Sequence, residues 1–134
     1  MAEQIANLNK GEVSISSTSK RAIGVWVDGK TKYIKEYAFT MTSPTTGDYD
    51  YVVDTITNIN TLIELKGALQ SPNNYEGLAL GTYHYPKLTT IDTMLFINSN
   101  TGGLTVRICV ANQNDLDRFF KNAKFAVTII YTEK

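Results

Sequence analysis

His84 is the one histidine of this sequence, and Tyr83 and Tyr85 lie on either side of it. An imidazole between two phenol rings suits a site that stacks on a ligand or hydrogen-bonds to it. A histidine that only supports a loop is the alternative, and it is the commoner role. A second loop follows Pro72. The two loops together supply the candidate ligand-facing residues, which are Asn73, Asn74, Tyr75, Tyr83, His84 and Tyr85.

Several carboxylates lie close together along the chain, but none has the spacing of a known site. Asp48, Asp50 and Asp54 suggest calcium, yet the glycine and the closing glutamate of an EF-hand loop are missing. Asp115 and Asp117 fit a solvated or helix-capping pair better than an acid/base dyad. A glycosidase needs a pair of carboxylates in a cleft. The acidic residues considered for this pair have no recognisable spacing; they are Glu64, Glu76, Asp92 and Asp115.

Motifs for a nucleophile or a phosphate site are also missing. The serines of residues 14–19 have no G-x-S-x-G context. No helix is expected after the turn at residues 100–103, which excludes a phosphate cradle there. Cys109 lies in an alternating stretch, so we expect a small buried side chain and not a reactive thiol. We therefore expect a binding or structural protein, not an enzyme, with no catalytic residue, cofactor or metal ion.

Composition narrows the possible partners. The chain has 134 residues, enough for one domain, and its 13 basic and 13 acidic residues give a net charge of zero. Nucleic-acid-binding proteins usually carry a basic excess, so we expect no nucleic-acid partner. No apolar run approaches the roughly 20 residues that span a bilayer, and the first residues do not resemble a signal peptide, so we expect no membrane insertion. A single cysteine excludes an intrachain disulfide and indicates a reducing compartment.

Alternation of apolar and polar residues predicts that most of the chain forms strands. The clearest strands are expected at residues 32–41, 49–54, 62–69, 91–98, 104–110 and 125–131. Short strands separated by Gly- and Asn-rich turns predict an all-β fold, an antiparallel β-sandwich or jelly roll. We assign this domain to residues 21–134 and an N-terminal arm and connector to residues 1–20.

Residues 112–124 contain the one plausible short helix. Leu116, Phe119 and Phe120 recur there at helical spacing. A loop that buries the same side chains is the alternative, and the sequence leaves both open.

The only tryptophan, Trp26, lies in the clearest hairpin signal of the chain. The pair Asp28-Gly29 between alternating segments predicts a two-residue type I′ turn. That turn would pair Trp26 with Thr31 and place Trp26 and Tyr33 on one face, which we expect to point into the core. A neighbouring strand, a loop or a second subunit is then expected to cover the opposite face, which carries Ile23, Val25, Val27 and Ile34.

Three stretches resemble a β-sandwich module found at the carboxy-terminal ends of tailed-bacteriophage tail fibres and other virion appendages. Residues 17–35 are similar to its opening, "ST…x-G-x-W-x-D-G-K-x-x-Y-x-K". Residues 59–67 resemble its "I-D-T-L-I-N-I-x-G" strand, and residues 126–134 resemble its closing "V-T-I-x-Y-T-K" strand. The resemblance runs from residue 17 to residue 134 in the right order.

This resemblance implies a trimeric virion protein without catalysis, often concerned with attachment to a host surface. Members usually carry the module behind a long fibre shaft, whereas residues 1–16 are all that precede it here. We therefore expect a small appendage, such as a head fibre or a capsid decoration protein, located in the virion after synthesis in the host cytoplasm. Residues 1–16 would bind other virion proteins, with Ile5 and Leu8 as the anchor.

The apolar face of the hairpin is the expected interface of the homo-oligomer, through Ile23, Val25, Val27 and Ile34. A free-standing carbohydrate-binding module is the alternative function. It would bind a host-surface glycan through the two loops that contain the candidate ligand-facing residues.

Overall fold

The computed structural model describes residues 15–72, 77–83 and 91–134 of the chain. This part contains ten strands and one short helix. The strands are β1 (Ser16–Ser17), β2 (Arg21–Val25), β3 (Thr31–Met41), β4 (Gly47–Thr55), β5 (Ile59–Gln70), β6 (Gly77–Ala79), β7 (Thr82–Tyr83), β8 (Ile91–Ile97), β9 (Gly103–Val110) and β10 (Ala123–Glu133), and the helix is α1 (Gln113–Phe119).

The strands form two antiparallel sheets that pack against each other, which confirms the predicted all-β sandwich. The first sheet has the order β1-β3-β10-β5-β6, and β2 also pairs with β3. The second sheet has the order β4-β9-β8-β7. The last two strands of the chain are both interior strands. In the first sheet β10 lies between β3 and β5, and in the second sheet β9 lies between β4 and β8.

The core fills the space between the sheets with every second residue of the facing strands, as the side-chain period of a strand requires. On β9 the buried series runs from Leu104 to Val110, and on β10 it runs from Ala123 to Tyr131. Three rings connect the layers. Phe39 of β3 stacks on Phe125 of its own sheet, with centroids 5.0 Å apart, and on Tyr51 of the opposite sheet, with centroids 4.8 Å apart.

The predicted helix forms, and the alternative of a loop is excluded. Leu116, Phe119 and Phe120 are all buried in the core. Asn112 caps the first turn, because its side-chain oxygen accepts the Asp115 N–H at 2.8 Å while its side-chain N–H donates to the Asp115 carboxylate at 3.1 Å. This reciprocal cap satisfies a backbone donor that the helix itself leaves without a partner.

The described part of the N-terminal arm and connector, residues 15–20, lies against the sandwich. Ile15 packs against the core, and Ser16 and Ser17 pair with β3. The expected anchor residues Ile5 and Leu8 belong to residues 1–14, which lie outside the described residues.

The hairpin between β2 and β3 forms, but its predicted turn and register are wrong. The loop has three residues, Val27 to Gly29, and is closed by a hydrogen bond from Trp26 N–H to Lys30 O at 2.8 Å. Gly29 alone takes a positive φ, at 86°, whereas a type I′ turn requires a positive φ at Asp28 as well. The Asp28 carboxylate instead accepts the Lys30 N–H at 3.0 Å.

This slip of one residue changes the face to which Trp26 belongs, since adjacent residues of a strand point to opposite faces. Trp26 pairs with Lys30 and not with Thr31, so it does not share a face with Tyr33. Tyr33 packs against the core as predicted, but Trp26 is only half-buried and does not belong to the core cluster. Burial of the indole in the core was therefore a wrong prediction.

Candidate functional site

The β2–β3 hairpin, in which β2 pairs with β3 alone, leaves apolar side chains uncovered. All five residues of β2 are exposed. The exposed fraction is 40% for Ile23, 66% for Val25 and 90% for Val27, so no strand or loop among the described residues covers this face. Ile34, the fourth residue of the predicted interface, is half-buried and pairs with Arg21. Val25 pairs with Thr31, so Ile34, three residues further along β3, lies on the opposite face from Val25. The four residues therefore do not share one face, and their role in an oligomer stays a prediction.

Ion pairs hold the base of the hairpin against the sheet. Lys20 Nζ lies 2.9 Å from the Glu133 carboxylate and 4.7 Å from the centre of the Tyr33 ring. The hydrogen bond to Glu133 raises the pKa of Lys20, and the hydrogen bonds from Lys20 and Asn58 lower the pKa of Glu133. Both shifts favour the charged forms and so maintain this ion pair at neutral pH. Lys30, at the end of the hairpin loop, also donates to the Glu133 carbonyl oxygen at 3.4 Å.

A second surface lies on the outer face of the β4-β9-β8 sheet. The pairing aligns Asp50 with Arg107 and Met94 in one row across the three strands. Val52 and Phe96 lie in the next row, on either side of Thr105. Val52 is 56% exposed and Met94 is 49% exposed, although each lies well inside its strand. We call this surface the β4-β8 face.

Charges on the β4-β8 face are mostly negative. Arg107 forms a bidentate pair with Asp50, at 2.6 and 2.9 Å, and its guanidinium lies 5.1 Å from the centre of the Phe96 ring. The hydrogen bond from Arg107 lowers the pKa of Asp50. A third row aligns Asp48 and Asp92 with Cys109 between them.

Cys109 is half-exposed on the β4-β8 face, and the prediction of a buried side chain was wrong. It follows the buried Ile108 and therefore points to the opposite side of the sheet. The hydrogen bond to Asp48, with burial, raises the pKa of the thiol, so the reactive thiolate is disfavoured.

The three aspartates considered for calcium do not come together. Asp48 and Asp50 lie on the outer face, whereas a bulge between Val52 and Asp54 directs Asp54 to Lys35 and Tyr37. Burial opposes ionisation of Asp54, but the hydrogen bonds from Lys35, Tyr37 and the backbone of Thr55 hold its pKa below its ordinary value. Within the described ranges, no three His, Cys, Asp or Glu side chains lie close enough together to hold a metal ion.

Most of the candidate ligand-facing residues cannot be placed. Asn73, Asn74, Tyr75, His84 and Tyr85 lie outside the described residues, and the backbone of Tyr83 lies in β7. The strand ends that flank the two loops are described. Gln70 pairs with Lys124 next to α1, and Ile91 pairs with Val110 on its other side, so both loops leave the sandwich at its helical end.

Sequence reasoning singled out the exposed apolar residues of the hairpin but missed the β4-β8 face. The available signal was an apolar residue at an outward position of two strands, Val52 after Tyr51 and Met94 before Leu95. Only the pairing of both strands with β9 makes neighbours of these positions.

In the part of the chain that the structure describes, no helix is long and apolar enough to cross a membrane. Comparison with family models, with curated proteins and with solved structures finds no match to this chain.

Proposed function

We propose that this chain is a structural protein of a bacteriophage virion. In this proposal it is a head fibre, a capsid decoration protein or a tail appendage, assembles as a homo-oligomer such as a trimer, and contributes to attachment to the host surface. The observation that supports the proposal is the exposed apolar side chains of the hairpin. The residues with the strongest family resemblance fold into a tip whose Val25 and Val27 are 66% and 90% exposed.

An exposed apolar tip suits assembly better than it suits a free monomer. Full burial of a valine side chain stabilises a protein by about 1.5 kcal/mol or more, and this free energy is unused while the side chain is in water. Exposed apolar patches commonly mark contact surfaces. A virion protein provides such a contact, because its copies are held together on the particle.

Attachment to other virion proteins is assigned in this proposal to residues 1–14, with Ile5 and Leu8 as the anchor. The boundary is set at residue 14 and not at residue 16, because Ile15 packs against the core and Ser16 pairs with β3. Removal of residues 1–14 is therefore expected to leave a folded domain that no longer enters particles.

The test is made on particles of the phage or prophage that carries the gene. Mass spectrometry of gradient-purified particles should detect the full chain, and immunogold labelling should locate it on the head or the tail. The chain without residues 1–14, supplied in trans to particles that lack the full chain, should be absent. Purified particles without the full chain would refute the proposal, and normal incorporation of the truncated chain would refute the anchor.

A free-standing carbohydrate-binding module is the second candidate. It is favoured by the position of the two candidate loops, which both leave the sandwich at its helical end. In this case a glycan array should give specific signals that His84→Ala and Tyr85→Ala abolish. A decoration protein without an adhesive role should give no signal.

A further inference from the structure

The β4-β8 face contains an apolar dip that the described residues leave open. Val52 and Phe96 lie two strands apart in one row, and Met94 lies beside Phe96 in the next row. Thr105, between Val52 and Phe96, is only 4% exposed and forms the floor. Its hydroxyl donates to the Gly103 carbonyl oxygen at 3.0 Å, so an apolar side chain that covers the floor leaves no donor without a partner.

The β4-β8 face is too small to hold a free protein by itself. Three neighbouring strands with three outward residues each span about 10 by 14 Å between backbone atoms. This area is on the order of 150 Å², whereas a stable complex buries about 800 Å² on each partner. A tethered segment needs far less contact, because a short linker gives it an effective concentration in the millimolar range. The area therefore favours an occupant that belongs to this chain.

The first described residue, Ile15, lies at the edge of the sandwich that leads to this face. The pairing of β1 with β3 places Ile15 next to Phe39, and Ile15 packs against the core. Phe39 stacks on Tyr51 of β4, which is an edge strand of the second sheet among the described strands. β1 lies beyond β3 and therefore beyond this edge. A chain that continues from Ile15 around β4 reaches the outward-pointing Val52 first.

Fourteen residues precede Ile15 in the sequence, and their length suffices for this path. The sheets pack about 10 Å apart, so the outward side chains of β4 lie roughly 15 Å from the plane of β1. Phe96, on the far side of the face, lies about 14 Å, or three strand spacings, to the side of β1. Leu8 is seven residues before Ile15, an extended reach of about 23 Å, and Ile5 is ten residues before it, about 33 Å. Both side chains can therefore reach the face.

The charge of residues 5–10 is compatible with the charge of the face. Lys10 is the one charged residue of this stretch. Arg107 is already paired with Asp50, and Asp48 and Asp92 form no ion pair within the described part of the chain. A single lysine beside Asp48 thus adds a favourable charge contact without bringing another acid onto the face.

We propose that residues 5–10 of this chain fold around the edge strand β4 and dock on the β4-β8 face of the same copy. Ile5 and Leu8 then fill the apolar dip, and Lys10 lies near Asp48. In the proposed function Ile5 and Leu8 are the anchor, so the docked arm is covered before assembly and must be released to bind the particle. The inference rests on the proposed function for this consequence alone.

The native thiol of Cys109 reports on the docked arm in the full chain. It lies on the same face, one row from Met94, so an occupant of the dip slows its reaction with Ellman's reagent. Leu8→Asp would bury an unpaired charge in the dip and should release the arm, so that Cys109 reacts about threefold or more faster. Leu8→Met keeps an apolar side chain and should leave the rate unchanged. Val25→Asp, the same type of change at an exposed apolar residue of the hairpin, should also leave it unchanged.

A disulfide bond distinguishes docking on the same copy from docking on a second copy. Asn9→Cys keeps both anchor side chains and places a second thiol near Cys109. Oxidation of dilute protein with oxidised glutathione should then join the two cysteines within one chain. Met94→Lys in that chain should lower the yield about threefold or more, because the dip no longer accepts Leu8. The matched control is Leu62→Lys, which places the same charge at an exposed apolar residue outside the face and should leave the yield unchanged.

Equal reactivity of Cys109 in the natural chain and in the Leu8→Asp variant would overturn the inference, and so would a disulfide yield that Met94→Lys does not change. A disulfide that forms only between chains would place the arm on a second copy and would also overturn it. Circular dichroism checks that all variants are folded. These results come from the purified chain, so a failure here leaves the proposed place in the virion intact, and absence of the chain from particles leaves the docked arm intact.

Discussion

Replacement of Phe39 is the sharpest test of how the two sheets are held together. Its ring is almost parallel to Phe125, with an interplanar angle of 4°, and to Tyr51, with an interplanar angle of 8°. Phe125 belongs to the same sheet and Tyr51 to the opposite one. Phe39 is therefore the middle ring of a stack that crosses from one layer of the sandwich to the other.

Two substitutions separate the stacking from the burial. Phe39→Leu keeps an apolar side chain but loses both ring contacts, and each aromatic pair contributes about 0.5–1.5 kcal/mol beyond its buried area. We expect Phe39→Leu to lower the free energy of unfolding by about 1–3 kcal/mol. Phe39→Ala also leaves a cavity, and large-to-small changes at a buried phenylalanine cost about 3–5 kcal/mol.

The assay is urea unfolding followed by far-ultraviolet circular dichroism, at one protein concentration because association adds to apparent stability. Phe96→Leu is the matched control. That ring is half-exposed on the β4-β8 face, and its loss should cost less than about 1 kcal/mol. A double-mutant cycle of Phe39→Leu with Tyr51→Leu should give a coupling energy of about 0.5–1.5 kcal/mol between the layers. A coupling energy of zero, or equal costs for Phe39→Leu and Phe96→Leu, would refute the reasoning.

Three further changes test other parts of the structure. Gly102→Ala should destabilise the fold more than Gly29→Ala in urea melts, because both glycines have a positive φ, 75° and 86°, but only at Gly102 would a Cβ lie 2.8 Å from a carbonyl oxygen. The pKa of Asp54 is lowered in the folded state, so its stabilising contribution is present above the unfolded pKa of about 3.9 and is lost as the pH falls through the folded value. Asp54→Asn should flatten that acid limb of the stability profile, and an unchanged limb would contradict the ion pair. Asn112→Ala removes the helix cap and should cost about 1 kcal/mol, whereas the exposed control Asn114→Ala should cost little; equal thermal shifts would count against the cap.

Several features of the fold could be predicted from the sequence because they depend on local periodicity. Alternation places every second residue of β9 and β10 in the core, and the structure buries those residues. Helical spacing of Leu116, Phe119 and Phe120 likewise predicts the short helix. These patterns are repeated over several residues, so one misplaced residue does not change the prediction.

The hairpin shows where local reasoning ends. The same Asp28-Gly29 pair suits a two-residue loop and a three-residue loop, and the choice moves Trp26 from one face to the other. A bulge has the same effect at Asp54, which leaves the face of Asp50 to meet Lys35. The alternation of apolar and polar residues predicts neither the loop length nor the bulge. The loop depends on the hydrogen bond that the Lys30 N–H donates to Asp28, and the bulge depends on the ion pair of Asp54 with Lys35.

The sequence by itself determined that this chain forms strands with one apolar side each, since that information lies in neighbouring residues. The tertiary structure alone decided which outward side chains become neighbours. Val52 and Met94 are far apart in the chain, and they form one surface because β9 pairs with both of their strands. The β4-β8 face and its charges follow from that pairing, which joins residues whose separation no local pattern can bridge.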